Sequence, residues 1–452
     1  MSGEADFRLY HSNSLDVLAG LLSAELRAPA PGQPLLAPDT ILIPQVAMRR
    51  WLQATLAAQH GIAANLEFLT PGEFVGRALA ANPGPEGAAG EDLDAERLRW
   101  HLYAALRDPA LRAQPAMAQL AGYLGDEDPL KPWTLAGELA GVFGKYQAWR
   151  RDWLLRWEAG ADPNDPQAIL WRAVAGGRAH RARRIQAYLA RFGGADSAVP
   201  AGLPSRLFVF ATLNVSPDVL RVLATQARAG TLHFYLPTPT KAYWGDLQSL
   251  GARLRAGNEP FPEDVGENPL LRDWGAAGRD FMALLGSYEV VHPSGEIAAY
   301  ADPEAASDKP DTLLRRMQSD LFHRRATPAG PLRTEVDVGD NSLQFHACHT
   351  RLRELQVLHD RLRALLEDKR FDPPLQPREI AVLAPDIDPY VPYLDAVFGG
   401  QGRGETIPWA MADASPLAGE PLAAAFLRLL ALPVSRFGVD EILDLLASPP
   451  LA

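Results

Sequence analysis

Between Lys145 and Arg191 the chain sets ten Lys/Arg side chains against four Asp/Glu. Aromatic rings are interleaved with them as far as Phe192: Tyr146, Trp149, Trp153, Trp157, Trp171, Tyr188 and Phe192 itself. Guanidinium groups grip phosphates, and flat rings stack on unpaired bases. The chemistry this spacing suits is therefore the holding of a single nucleic-acid strand. The same residues also suit a helical core of tryptophans with arginines on its wet face, and at this level both readings stand.

Catalytic chemistry finds little footing. The five lysines are Lys131, Lys145, Lys241, Lys309 and Lys369, and none lies in G-x-x-x-x-G-K-[ST]. A phosphate loop needs that lysine on the β/γ-phosphates and a neighbouring hydroxyl on Mg²⁺. Gly144-Lys145-Tyr146 is the nearest miss. His346, Cys348 and His349, with His359 further on, suggest a metal. However, strand alternation points His349 away from the other two, and there is no second cysteine, so Cys348 reads as a small packed residue. Asp386 and Asp388 are bracketed by Pro385 and Pro389 with no Glu-x-Lys nearby, which suits a turn or cap better than a paired-carboxylate nuclease. Ser14, Ser205 and Ser216 lack a nucleophile-elbow context. No catalytic or metal-ligating residue is expected.

The elements that must position the basic segment belong to an α/β chain. Phe7–Tyr10 reads as a strand and Leu15–Leu26 as an amphipathic helix. Thr40–Ile43 repeats the strand, and the helix after Pro44 carries Met48, Trp51, Leu52 and Leu56 on one face. A turn at Leu66–Leu69 precedes a helix from Pro71 to Leu79, and Asn82–Gly90 is a loop. From about 92 to 192 the pattern is helical only: Leu93–Leu106, Ala116–Leu124, Thr134–Trp149, Ile169–Ala175 and Arg181–Phe192. Strands return at Arg206–Ala211 and Leu232–Leu236, flanking a helix at Pro217–Ala227. The first of these ends in Phe210-Ala211-Thr212, without the acid that would hold Mg²⁺ in a nucleotide-hydrolysing domain. Residues 292–341 read as linker around one helix, Thr312–His323. A second α/β unit is expected from Ser342. Its strands are Leu343–Ala347 and Ile380–Leu383, and its helices are Arg351–Glu367, Tyr390–Phe398, Glu420–Leu432 and Val439–Leu446.

At 452 residues the chain suits two or three domains, and its single cysteine fits a reducing cytoplasm without a disulfide framework. No apolar run is long enough for a membrane span, and the first residues do not read as a signal peptide. A net charge of −11 opposes indiscriminate coating of nucleic acid.

Several stretches, in this order, carry a resemblance: Leu9–Leu18 (LYHSNSLDVL), Trp51–Asn65 (WLQATLAAQHGIAAN), Tyr243–Asp246, Asn268–Asp280, Leu343–Leu362 and Ile407–Asp413. Together they resemble the RecC family, the gamma chain of bacterial exodeoxyribonuclease V, the RecBCD helicase–nuclease. The resemblance implies a superfamily 1 helicase-like α/β fold. That fold is a P-loop NTPase-like parallel sheet with degenerate nucleotide motifs and a helical inserted subdomain. Residues 1–91 and 200–340 would form domain 1A and 92–199 the insert 1B. Residues 341–452 would start domain 2A of a chain that looks truncated. It further implies a catalytically inactive subunit that works in double-strand-break repair and recombination. Its partners would be RecB and RecD in a heterotrimer, and ATP and Mg²⁺ are expected in those partners rather than here. Its ligands would be single-stranded and forked DNA, and it would help split the duplex and read Chi in the 3′-ended strand.

On this mapping Asp39–Leu56 corresponds to a helicase motif that touches single-stranded DNA, which brings in Gln45, Arg49 and Arg50. Arg150 and Arg181 match positions at which family members read Chi, with Trp149, Arg151 and Arg184 beside them. Pro44, Val46, Arg50, Thr70 and Gly76 stand where the family pattern has mostly polar or aromatic readers. Gly141 and Gly144 stand where it has acids. The familiar Chi octamer is therefore not the expected target: the expectation is a different recognition sequence or none. Two alternatives remain, an AddB-type helicase–nuclease subunit and a scaffold that only holds partners together.

Overall fold

The computed structural model describes residues 6–84 (save 29, 31, 32 and 35), 93–194 (save 126, 127 and 129), 197–247, 267–286, 293–305, 311–326, 337–399, 406–411 and 421–448. The predicted loop positions 85–90, the end of the Ile407–Asp413 stretch, the helix start at Glu420 and the last four residues lie outside them. Contacts divide the chain into two units, 1–340 and 341–452.

The first unit is built on a six-stranded, wholly parallel sheet in the order β3-β2-β4-β5-β1-β6. Its strands are β1 (Asp6–Ser12), β2 (Asp39–Leu42), β3 (Leu66–Leu69), β4 (Arg206–Phe210), β5 (Thr231–Pro237) and β6 (Gly295–Ala298). Central strands of a parallel sheet bury both faces and read as unbroken apolar runs. All five residues of β4 are buried, with Leu207 and Val209 in one core and Phe208 and Phe210 in the other. Right-handed crossovers then fix which helix covers which face. The helices α1 (Leu15–Arg27) and α2 (Val46–His60) lead leftward from β1 and β2 and pack through Leu18, Leu22, Leu52 and Leu56 on the Phe208/Tyr235 face. The connections leading rightward put α3 (Pro71–Ala81), later helices and Phe281 on the Val209/Phe234 face.

Seven helices follow α3: α4 (Ala95–Arg107), α5 (Pro109–Arg112), α6 (Ala118–Tyr123), α7 (Leu130–Trp149), α8 (Arg151–Glu158), α9 (Pro166–Ala175) and α10 (Arg181–Phe192). Leu98, Leu102, Phe143, Leu154, Trp157 and Trp171 fill their shared core. After β4 come α11 (Pro217–Ala224) and α12 (Gln226–Ala229). A repeated device starts these helices. Thr70-Pro71, Asp108-Pro109, Asp165-Pro166 and Ser216-Pro217 each pair a side-chain cap with a proline at the first turn, where its missing N–H costs nothing.

Four expectations are corrected. Leu66–Leu69 is an edge strand, not a turn, and pairs with β2. Gly295–Ala298 is a strand inside the supposed linker and pairs with β1; all four residues are exposed, so no apolar pattern marks it. Arg151–Glu158 is a helix that periodicity missed, because a single residue, Arg150 (φ −135°, ψ 38°), separates it from α7. Leu343–Ala347 and Ile380–Leu383 are not strands. Among the described residues of the second unit there is no strand, and an isolated parallel strand has no ladder to join. That unit's helices are Arg351–Leu366, Val391–Phe398, Pro421–Ala431 and Val439–Leu446, with Leu355, Leu362, Phe398 and Ile407 forming its core.

Candidate nucleic-acid interface

In open α/β sheets ligands settle at the carboxyl ends of adjacent strands whose connections lead in opposite directions. Strands β2 and β4 are such a pair: α2 carries the chain from β2 out to β3, whereas α11 and α12 carry it from β4 to β5. A groove of about 310 Å³ lies at that point. Pro44 follows β2, Thr70, Pro71 and Gly72 follow β3, Thr212, Asn214, Val215 and Ser216 follow β4, and Ala148 and Trp149 come from the end of α7.

The predicted residues fall around it unequally. Trp149 lines the groove and is 45% exposed. Arg150, also exposed, leans over the Trp153 ring with its guanidinium carbon 5.3 Å from the centroid. Gln45 caps α2 beside Pro44 without a side-chain hydrogen bond and is exposed, as are Arg49 and Arg50. Arg49 lies over Phe68 of β3 at 5.6 Å. Arg181 and Arg184 are half-buried on the first turn of α10. The Arg181 N–H donates to Gln147 Oε1 at 3.1 Å, and Gln147 Nε2 donates to the Leu93 carbonyl, which sets the start of α10 beside the last turn of α7. Arg151 is turned the other way. Its Nη1 lies 2.8 Å from Asp218 Oδ1 of α11, with both side chains nearly buried. It ties the helical layer to the sheet layer instead of facing the groove.

One nearly buried carboxylate organises the base of α10. Glu158 accepts from Trp171 Nε1 (2.9 Å) and Arg183 Nε (2.6 Å), and His180 Nε2 lies 2.7 Å away. Burial pushes the Glu158 carboxyl up, but these three neighbours outweigh it and hold the group below the usual carboxylate range. Sequence reasoning missed this hub and the groove residues Asn214 and Ser216. The pair Ser216-Pro217 was the available signal for a helix start there.

The position where a phosphate loop would sit is filled by the chain itself. Asn13 Nδ2 donates to the Ala301 carbonyl (2.8 Å) and Asn13 Oδ1 accepts from the Ala301 N–H (2.9 Å). Ser14 caps α1, and buried His11 lies 2.9 Å from Glu296. Asp302, Glu304 and His323 come within metal-ligand distance of one another. However, Glu304 already accepts from Arg325 and Ser319 at 2.6 Å each, which hold its carboxyl down to about 2. His346 meets Gln344 rather than Cys348, and Asp386 accepts from the Asp388 N–H in a turn. Among the described residues no helix is long and apolar enough to cross a membrane.

The fold and groove define an α/β protein with a ligand-sized crevice at the carboxyl edge of a parallel sheet and no phosphate loop beside it. The chain belongs to the RecC family. The RecC N-terminal domain matches over residues 7–324, and the RecBCD enzyme subunit RecC fourth domain matches over residues 419–452. The chain is similar to the RecBCD enzyme subunit RecC of Escherichia coli (strain K12), 33% identical over 98% of this chain and 43% of that protein. It is also similar to that of Haemophilus influenzae, 30% identical over 98% of this chain and 44% of that protein. A third relative is that of Mycolicibacterium smegmatis, 29% identical over 98% of this chain and 40% of that protein. The chain thus spans less than half the length of these curated relatives.

Proposed function

We propose that this sequence corresponds to part of the DNA-binding, non-motor subunit of a cytoplasmic RecBCD-type helicase–nuclease in double-strand-break repair and recombination. The unwound single strand passes the carboxyl edge of the sheet, where Gln45, Arg49, Arg50, Trp149, Arg150, Arg181 and Arg184 hold it. The observation that carries this reading is the groove at the β2/β4 switch point, with Trp149 in its wall and exposed Arg150 next after it in the chain. The domain is helicase-like in descent but does not turn over ATP; ATP and Mg²⁺ act in RecB and RecD, its partners. It helps split the duplex, and it reads either a Chi-like sequence other than the familiar octamer or none. A reconstituted complex that responds normally to that octamer in a Chi-protection assay overturns this last point.

Anisotropy of a fluorescent single strand across a salt series tests the main reading, with Arg150→Ala/Arg181→Ala beside the wild type. Affinity that falls with salt, and falls further with a shallower slope in the double variant, supports it. Absence of binding by the wild type overturns it in favour of a purely structural scaffold, the reading that the engaged Arg151 favours.

A further inference from the structure

Among the described residues the groove's walls carry no charged side chain. They are made of Pro44, Pro71, Gly72, Val215, Val219, Ala148, Trp149 and the neutral polar Thr70, Thr212, Asn214 and Ser216. Two helix starts frame it, and such starts ordinarily attract phosphate. Here the α3 start is already taken by a carboxylate and the α11 start by its own cap. At α3, Glu73 Oε2 accepts from the Thr70 N–H (2.7 Å) and hydroxyl (2.8 Å), and these bonds hold its carboxyl below the ordinary range. At α11, Ser216 Oγ accepts from the Val219 N–H, and the Asp218 carboxylate is held by Arg151 and Arg221. A phosphate at the α3 start meets the Glu73 charge; a neutral ring does not. The groove's volume is at the low end for small-ligand sites and admits one flat group rather than a length of strand.

The loop that closes the groove is held in an unusual backbone conformation. Ala211, directly after β4, has φ +52°, a left-handed geometry costly for a residue with a Cβ. Thr212 Oγ1 bonds back to the Phe210 carbonyl, and three residues after Ala211 the chain presents Asn214 at the groove. Asn214 is exposed, and no hydrogen bond engages its side chain among the described residues.

We infer that this groove is a base pocket in which Trp149 stacks on one unstacked base of the strand and Asn214 selects that base, with the phosphates outside against Arg150 and the arginines of α2. The inference rests on the single-strand reading above. A primary amide offers a donor and an acceptor side by side, the complement of adenine's N7 and N6 edge, so adenine is the base preferred.

The test uses the full 452-residue chain. Fluorescent strands about 15 nucleotides long, a typical single-strand site length, carry CA repeats, CT repeats or an abasic sugar-phosphate backbone. The wild type is expected to bind the CA strand about tenfold tighter than the CT strand. Asn214→Ala erases that preference and leaves the salt slope unchanged. Trp149→Ala weakens both base-bearing strands about tenfold. The abasic strand binds more weakly than either. Equal binding of abasic and base-bearing strands overturns the base pocket, as does a preference that survives Asn214→Ala. In both outcomes the strand is still bound and the single-strand reading stands; a wild type that binds no strand removes both together.

Discussion

Arg151 Nη1 and Asp218 Oδ1 meet at 2.8 Å across the boundary between the helical layer and the sheet layer, with side-chain exposures of 15% and 10%. Burial pushes the Asp218 carboxyl above its ordinary range, against the pull of Arg151 and Arg221. Asp218 lies in the first turn of the helix whose cap, Ser216, lines the groove, so the pair fixes the groove wall to α8. Asp218→Ala leaves a nearly buried guanidinium without its main partner and is expected to cost roughly 3 kcal/mol in urea unfolding. Arg151→Ala/Asp218→Ala is expected to cost less than the sum of the single changes, the signature of a direct contact.

Acid weakens the sheet through a histidine. Burial lowers His233 to about 4, against an ordinary value of 6.5. The folded chain therefore keeps it neutral while the unfolded chain protonates it first. Its contribution is full above pH 6.5 and is lost as pH falls towards 4, on the order of 3 kcal/mol in total. Unfolding free energy measured across that window is expected to fall steeply for the wild type and less steeply for His233→Gln. Buried His11 shifts in the same direction, so some slope remains in the variant.

The Asn268–Asp280 stretch is shaped around one indole, that of Trp244. A Cβ on Gly278 would stand 2.6 Å from the Trp244 ring, and one on Gly275 would stand 2.5 Å from it. Trp244 is 3% exposed and has no room to retreat. Gly278→Ala is expected to destabilise by about 1–3 kcal/mol through overpacking, read as a lowered melting temperature. Restoring space with Gly278→Ala/Trp244→Phe should recover part of that loss.

Nucleotide should have no purchase on this chain. The first strand-to-helix turn lacks glycine and lysine, and Asn13 is closed onto Ala301. Titration with a fluorescent ATP analogue and Mg²⁺ is expected to show no saturable signal. Saturable binding that a β1–α1 turn variant such as Asn13→Ala changes would contradict the closure.

What was legible in the sequence is what leaves a strong local signal. The runs Phe7–Tyr10 and Arg206–Phe210 announce buried parallel strands, and the spacing of α1, α3 and α10 announces helices. The β6 residues Gly-Glu-Ile-Ala carry no such signal, because an edge strand with exposed side chains is specified by its backbone partner rather than by its pattern. The same physics explains the opposite error at Leu343–Ala347 and Ile380–Leu383. Their apolar pattern suits a strand, but a strand exists only once a neighbour supplies its ladder. At the groove, Trp149 and Arg150 were legible by type. Arg151 was not distinguishable from them, because only folding reveals which arginine meets Asp218. Asn214 was invisible, because a lone amide in a loop becomes a candidate only when an aromatic wall faces it.

The pairing of β2 with β4 has a temporal consequence. Arg206 at the start of β4 clasps Asp39 at the start of β2 with two parallel bonds, Nε to Oδ1 at 2.6 Å and Nη2 to Oδ2 at 2.9 Å. These partners are 167 residues apart, and every helix from α2 to α10 lies between them. Closing so long a loop before any contact rewards it is entropically slow. The intervening helices, whose contacts are local, are therefore the part that forms early and shortens the search. The nascent chain therefore carries an unpaired β2 edge until β4 arrives, and the closure of that 167-residue loop is the step expected to limit folding.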